Sequence, residues 1–115
     1  MIIEPKRGEI WWVKFDSYQG HEQGGNRPVL IIQNDKGNKY SPTVIVAAIS
    51  HSKRKDLPVH YYINKSYEMP KDSMVLLEQL RTIDKTRLQS CSTQLTIEDM
   101  KQVDQALIVS LGLTL

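Results

Sequence analysis

The stretch Gly20-His21-Glu22-Gln23-Gly24-Gly25-Asn26-Arg27-Pro28 gathers an imidazole, a carboxylate, an amide and a guanidinium around glycines. These are side chains that move protons and hold negative charge. Gly24 and Gly25 predict a loop able to press close to a ligand. The apolar run Val29-Leu30-Ile31-Ile32 follows at once, so Arg27 sits where a loop meets a rigid element, the mounting a reactive group needs. Two more segments carry comparable groups: Ser50 followed by His51, and Glu78-Gln79 with Arg81 close behind. If strands bring the three segments to one face, they form a constellation. Taken singly, each has an ordinary use: Arg27 pairing with Glu22 or Glu78, Ser50 ending a strand, Glu78-Gln79 making a turn.

Several chemistries are excluded. His21, His51 and His60 are scattered, and neither H-E-x-x-H nor a paired-cysteine spacing occurs, so no metal site is expected. The glycines at 24 and 25 lack the Gly-Lys-Ser/Thr of a phosphate loop, and there is no G-x-S-x-G elbow. The single cysteine, Cys91, cannot form an internal disulfide, which suits a reducing cytoplasm. It is expected to be a small buried or half-buried side chain. From Lys36 to Lys55 the chain carries Lys36, Lys39, Lys53, Arg54 and Lys55 and no acid. Such a run is either a solvated surface or a patch that draws phosphate groups.

The elements that must position these groups fit one domain, residues 1–115, long enough for a single core. No apolar run approaches the roughly 20 residues of a membrane span, and the N-terminus meets charge and proline too early for a signal peptide. No membrane association is expected. Residues 9–15, rich in aromatic and β-branched types, predict a first strand, and 27–33 a second. Residues 34–42 are dense in turn formers and lead to a third strand at 43–49. The continuous apolar runs of the second and third predict central strands covered on both faces. Residues 59–63, 73–77 and 80–83 predict three more short strands, with Glu78-Gln79 interrupting the last two. Thr96 caps a predicted helix with Glu98 and Asp99 in its first turn, Met100, Val103, Leu107 and Leu111 on one stripe, and Gly112 at its stop. Short strands and one terminal helix predict a small, strongly curved β-barrel with a helix against it.

The segments Arg7-Gly8-Glu9-Ile10-Trp11, Gly20 to Ile32, Asn34-Asp35, Ser41-Pro42-Thr43, Val46-Ala47-Ala48-Ile49 and Leu77-Glu78-Gln79-Leu80-Arg81-Thr82-Ile83-Asp84 carry a resemblance. In order and spacing they resemble the MazF family of toxin endoribonucleases from bacterial toxin–antitoxin modules, related to the Kid and PemK toxins. The resemblance implies a mainly β fold, an SH3-like β-barrel with a C-terminal α-helix, working as a cytoplasmic homodimer. It implies cleavage of single-stranded RNA without metal or other cofactor, the ribose 2′-OH attacking to leave a 2′,3′-cyclic phosphate and a 5′-hydroxyl. A MazE-like antitoxin is the implied protein partner. On this resemblance Arg27 binds the scissile phosphate, Ser50 stands where many relatives carry threonine, and Glu22 is a base or a contact to a substrate base. His21 and Glu78 match catalytic positions of the Kid branch, but the arginine that branch places two residues ahead of the acid is Leu76 here. Gln79 is a candidate reader of base edges, His60 a candidate stacking surface, and Lys53, Arg54 and Lys55 candidate backbone contacts. Two other functions stay open: a CcdB-type toxin that binds DNA gyrase, and an RNA-binding module without cleavage.

Overall fold

Six antiparallel strands make one sheet: β1 (Glu9–Phe15), β2 (Gly25–Ile31), β3 (Thr43–Ser50), β4 (His60–Tyr62), β5 (Met74–Asp84) and β6 (Leu88–Gln94). Their order is β4-β5-β3-β2-β1-β6, so β3 and β2 are central, as their unbroken apolar runs require. Helix α1 (Asp35–Tyr40) joins β2 to β3, and helix α2 (Ile97–Leu111) follows β6. The computed structural model describes residues 3–15, 25–52, 55–70 and 72–114.

Alternation along the central strands feeds two cores. Leu30, Ala47, Ile49, Val75 and Leu77 turn to one face and pack with Val103 and Ala106 of α2. Val29, Ile31, Val44 and Val46 turn to the other, where they meet Val13, Ile83 and Leu88. No helical residue belongs to that second cluster, yet Val13, Ile31 and Val44 are fully buried. The sheet must therefore curl over it. The connection after β5 demands the same. In a flat sheet β5 and β6 lie four strand steps apart, about 19 Å. The 3₁₀ turn Lys85–Arg87 that joins them spans only about 8 Å. The result is the expected strongly curved, barrel-like sheet, although among the described residues no ladder joins its edge strands β4 and β6.

Four local expectations change. Residues 34–42 are not a plain turn: Asn34 accepts from the Gly37 N–H at 2.8 Å and starts α1. The two short strands expected at 73–77 and 80–83 are one strand, β5. Its register against β3 jumps from Leu76 to Leu80 while β3 advances only from Ala48 to Ala47, so Leu77, Glu78 and Gln79 form a bulge. β6 was not foreseen, since only Leu88 of its seven residues is buried and no apolar alternation marks it. Cys91, on that strand, is exposed rather than buried or half-buried.

Helix α2 follows its signals closely. The Thr96 side chain accepts from the Asp99 N–H at 3.1 Å, and Gly112 closes the helix at φ 67°. Tyr67 braces the cap from outside: its hydroxyl accepts from the Thr96 N–H at 3.0 Å and donates to Asp99. Arg7 ties the N-terminal segment to the rest. Its N–H bonds Asp35 at 2.7 Å, its Nε bonds the Ile32 carbonyl at 2.8 Å, and its Nη2 pairs with Asp104 of α2 at 2.7 Å. No helix among the described residues is long and apolar enough to cross a membrane.

Candidate active site

Arg27 lies on β2 opposite Val13 of β1. It shares a side of the strand with Val29 and Ile31, which enter the curled core, but Arg27 itself is exposed at that core's mouth. β3 arrives antiparallel, with Val29 against Ala48. Continuing that register by two residues sets Arg27 across from Ser50, on the same side of the sheet. Separate in sequence, these residues lie on neighbouring strands, each two residues beyond the last β2–β3 pair.

Ser50 is half-buried at the end of β3, and its Oγ is held locally. It accepts from the Ser52 N–H at 3.2 Å and donates to the Ser52 carbonyl at 3.4 Å. His51 follows, its Nδ1 3.1 Å from Ser73 Oγ. Partial burial and, second, the charge of Arg27 hold the His51 pKa below the usual histidine value. The guanidinium is thus near enough to act on the ring.

The β5 bulge supplies the third segment. Glu78 and Gln79 are both exposed there, consistent with residues pushed out of a ladder. Glu78 Oε2 lies 2.9 Å from His60 Nε2, while His60 Nδ1 lies 3.0 Å from the Lys55 carbonyl. The His60 side chain is only 4% exposed. Leu76, where the Kid pattern has arginine, is buried across from Ala48.

Arg81, two residues past the bulge, has its guanidinium 4.6 Å from the centre of the Phe15 ring. Phe15 ends β1 opposite Gly25, so this contact borders the same mouth. Neither Phe15 nor Ser73 was singled out from sequence, because their value lies in partners far away in the chain. His21, Glu22, Lys53 and Arg54 lie outside the described residues. Lys55 is exposed beyond β3. Lys36 and Lys39 sit on α1, which precedes β3 at the end opposite Ser50. The basic run is therefore split between two ends of the sheet. Among the described residues no group of three or more His, Cys, Asp or Glu could hold a metal ion.

The arrangement offers a cation, an oriented hydroxyl and an imidazole at one end of the sheet. Those are the parts of a site that binds an anion and moves a proton. The comparisons point the same way. The protein named Endoribonuclease MazF of Staphylococcus saprophyticus is 54% identical over 110 residues, covering 94% of this chain and 92% of that protein. The structure of MazE–MazF (Form-II) from Deinococcus radiodurans matches with a TM-score of 0.82 at 23% identity, over 98% of this chain and 100% of that one. A mycobacterial endoribonuclease in complex with its cognate antitoxin matches at 0.79 and 22%, over 96% and 98%. At such identities these two speak for the fold. A family model described as PemK-like, MazF-like toxin of type II toxin–antitoxin system matches residues 6–111. On that match this chain belongs to the PemK/MazF toxin family.

Proposed function

We propose that the chain, as one domain over residues 1–115, is a sequence-specific, metal-independent endoribonuclease toxin of the cytoplasm. It cleaves single-stranded RNA by attack of the ribose 2′-OH, leaving a 2′,3′-cyclic phosphate and a 5′-hydroxyl. The reading is carried by 54% identity to an endoribonuclease; Arg27 and Ser50, each standing two residues beyond the last β2–β3 pair, Val29 with Ala48, support it. RNA brings its own nucleophile. The protein has only to grip the phosphate, neutralise the charge that grows on phosphorus, and move protons.

Arg27 binds the scissile phosphate and steadies the pentavalent transition state, and the Ser50 hydroxyl bonds the same group. Glu22 acts as a base or contacts a substrate base, with His21 and Glu78 in support. Gln79, pushed out by the bulge, reads base edges, while Lys53, Arg54 and Lys55 follow the backbone. His60 serves the RNA through Glu78, which it holds. A homodimer is the working form, and a MazE-like antitoxin, folding over the channel, is the inhibitor.

A gyrase-binding role in the CcdB manner finds less support. Such toxins grip gyrase through a tryptophan, and Trp11 and Trp12 both lie in β1. Trp11 packs against the curled core and donates to Glu9 at 3.0 Å. The deciding experiment incubates purified protein with a long mixed-sequence RNA in excess chelator and maps the new ends. Discrete cuts ending in 2′,3′-cyclic phosphate are expected, and a 2′-deoxy substitution at the cut nucleotide alone should stop them. Intact RNA, or cutting at the deoxy site, would overturn the reading.

A further inference from the structure

The base that takes the 2′-proton can be sought in hydrogen-bond directions. Continuing the β3–β5 register one step past Ser50 and Met74 sets His51 against Ser73. Ser73 is buried, and its hydroxyl donates its one proton to the Pro70 carbonyl at 2.5 Å. A carbonyl only accepts, so that direction is fixed. The 3.1 Å contact between Ser73 Oγ and His51 Nδ1 must then have Nδ1–H as its donor. In the neutral ring the lone pair is left on Nε2. Among the described residues Nε2 has no hydrogen-bond partner, and His51 is exposed beside Ser50. Serine and proline thus hold one tautomer of an imidazole at the mouth where Arg27 stands.

We infer that Nε2 of His51 accepts the proton of the attacking 2′-hydroxyl, as the general base of the reaction. The assignment rests on the endoribonuclease reading above. The proton passes from O2′ to Nε2, the O2′–P bond forms and the P–O5′ bond breaks. The departing O5′ takes a proton from water, and the imidazolium returns its own to solvent, so protons balance. Partial burial and Arg27 are the influences on the ring among the described residues, and both favour its neutral form. The base is therefore ready at neutral pH, and Arg27 hastens release of the captured proton. Below about pH 6.5, the unperturbed histidine value, the ring begins to protonate as its lowered pKa is approached, and activity is lost.

The test compares wild type, His51→Ala and His51→Asn in single-turnover cleavage across pH 5 to 8, with melting curves to confirm folding. Asparagine keeps an N–H that reaches Ser73 but has no lone pair where Nε2 stood. Both variants should cut about 100-fold more slowly, the range general bases contribute. Both should lose the acidic limb of the wild-type profile, and added imidazole should restore part of the rate of His51→Ala. Wild-type speed in His51→Asn would show that only the Ser73 bond matters and overturn the assignment, as would an unchanged acidic limb in both variants. Wild-type protein that cuts no RNA sinks the endoribonuclease reading itself, whereas active wild type with unimpaired variants removes His51 alone.

Discussion

Arg27 shows how little of a reactive residue's placement is local. Its neighbours in sequence say only that it leaves a loop; its proposed partner Ser50 lies on β3, the strand whose apolar residues set the register with β2. Because Arg27 is exposed and outside both cores, Arg27→Ala should leave the fold intact. Cleavage should fall at least 10²–10³-fold, the cost of removing one donor to a developing anion. Equal melting temperatures with near-wild-type cutting would remove Arg27 from the mechanism. The types of Arg27, Ser50, Glu78 and Gln79 were readable in the sequence, and so was the break the last two impose. Ser73 was not, since a serine before an apolar run has no mark of its own until the register sets it against His51. His60 shows the same limit: the two groups its ring nitrogens meet, the Lys55 carbonyl and Glu78, lie on other segments.

At the scale of elements, the bounds of α2 were legible because cap and stop agree, but Leu111 of its expected stripe is exposed and Ala106, outside that stripe, is buried. Thr96→Ala removes the cap and a neighbour of Tyr67, and should cost about 1 kcal/mol. In a chain of this size that lowers the melting temperature by about 4 °C, readable by calorimetry. An unchanged midpoint would mean Tyr67 and Asp99 hold the turn without the threonine. β1 and β3 were legible from aromatic and β-branched content. β5 read as two strands because a bulge and a turn share the same polar signature in one dimension. β6 escaped because its solvent-facing sequence, Gln89-Ser90-Cys91-Ser92-Thr93, is held by pairing with β1 rather than by burial of its own side chains. α1 hid behind residues that favour turns, although Asn34 is as good a helix cap as a turn former.

For the molecule as a whole, both sheet faces are spent on cores, one under α2 and one inside the curl. Apolar surface left outside includes Ile45 on β3 and Val109, Leu111 and Leu113 at the end of α2. Such exposed apolar side chains suit the docking of a second copy. Sedimentation at micromolar concentration should give twice the chain mass; a lone-chain mass there would sink the homodimer. The pairing of β1 with β6 reaches further. Glu9 finds Gln94 across most of the sequence, the longest-range strand pairing among the described residues. During synthesis Arg27, Ser50 and His51 leave the ribosome well before Leu88. A nascent chain therefore exposes these three residues while one flank of the curl is still unpaired.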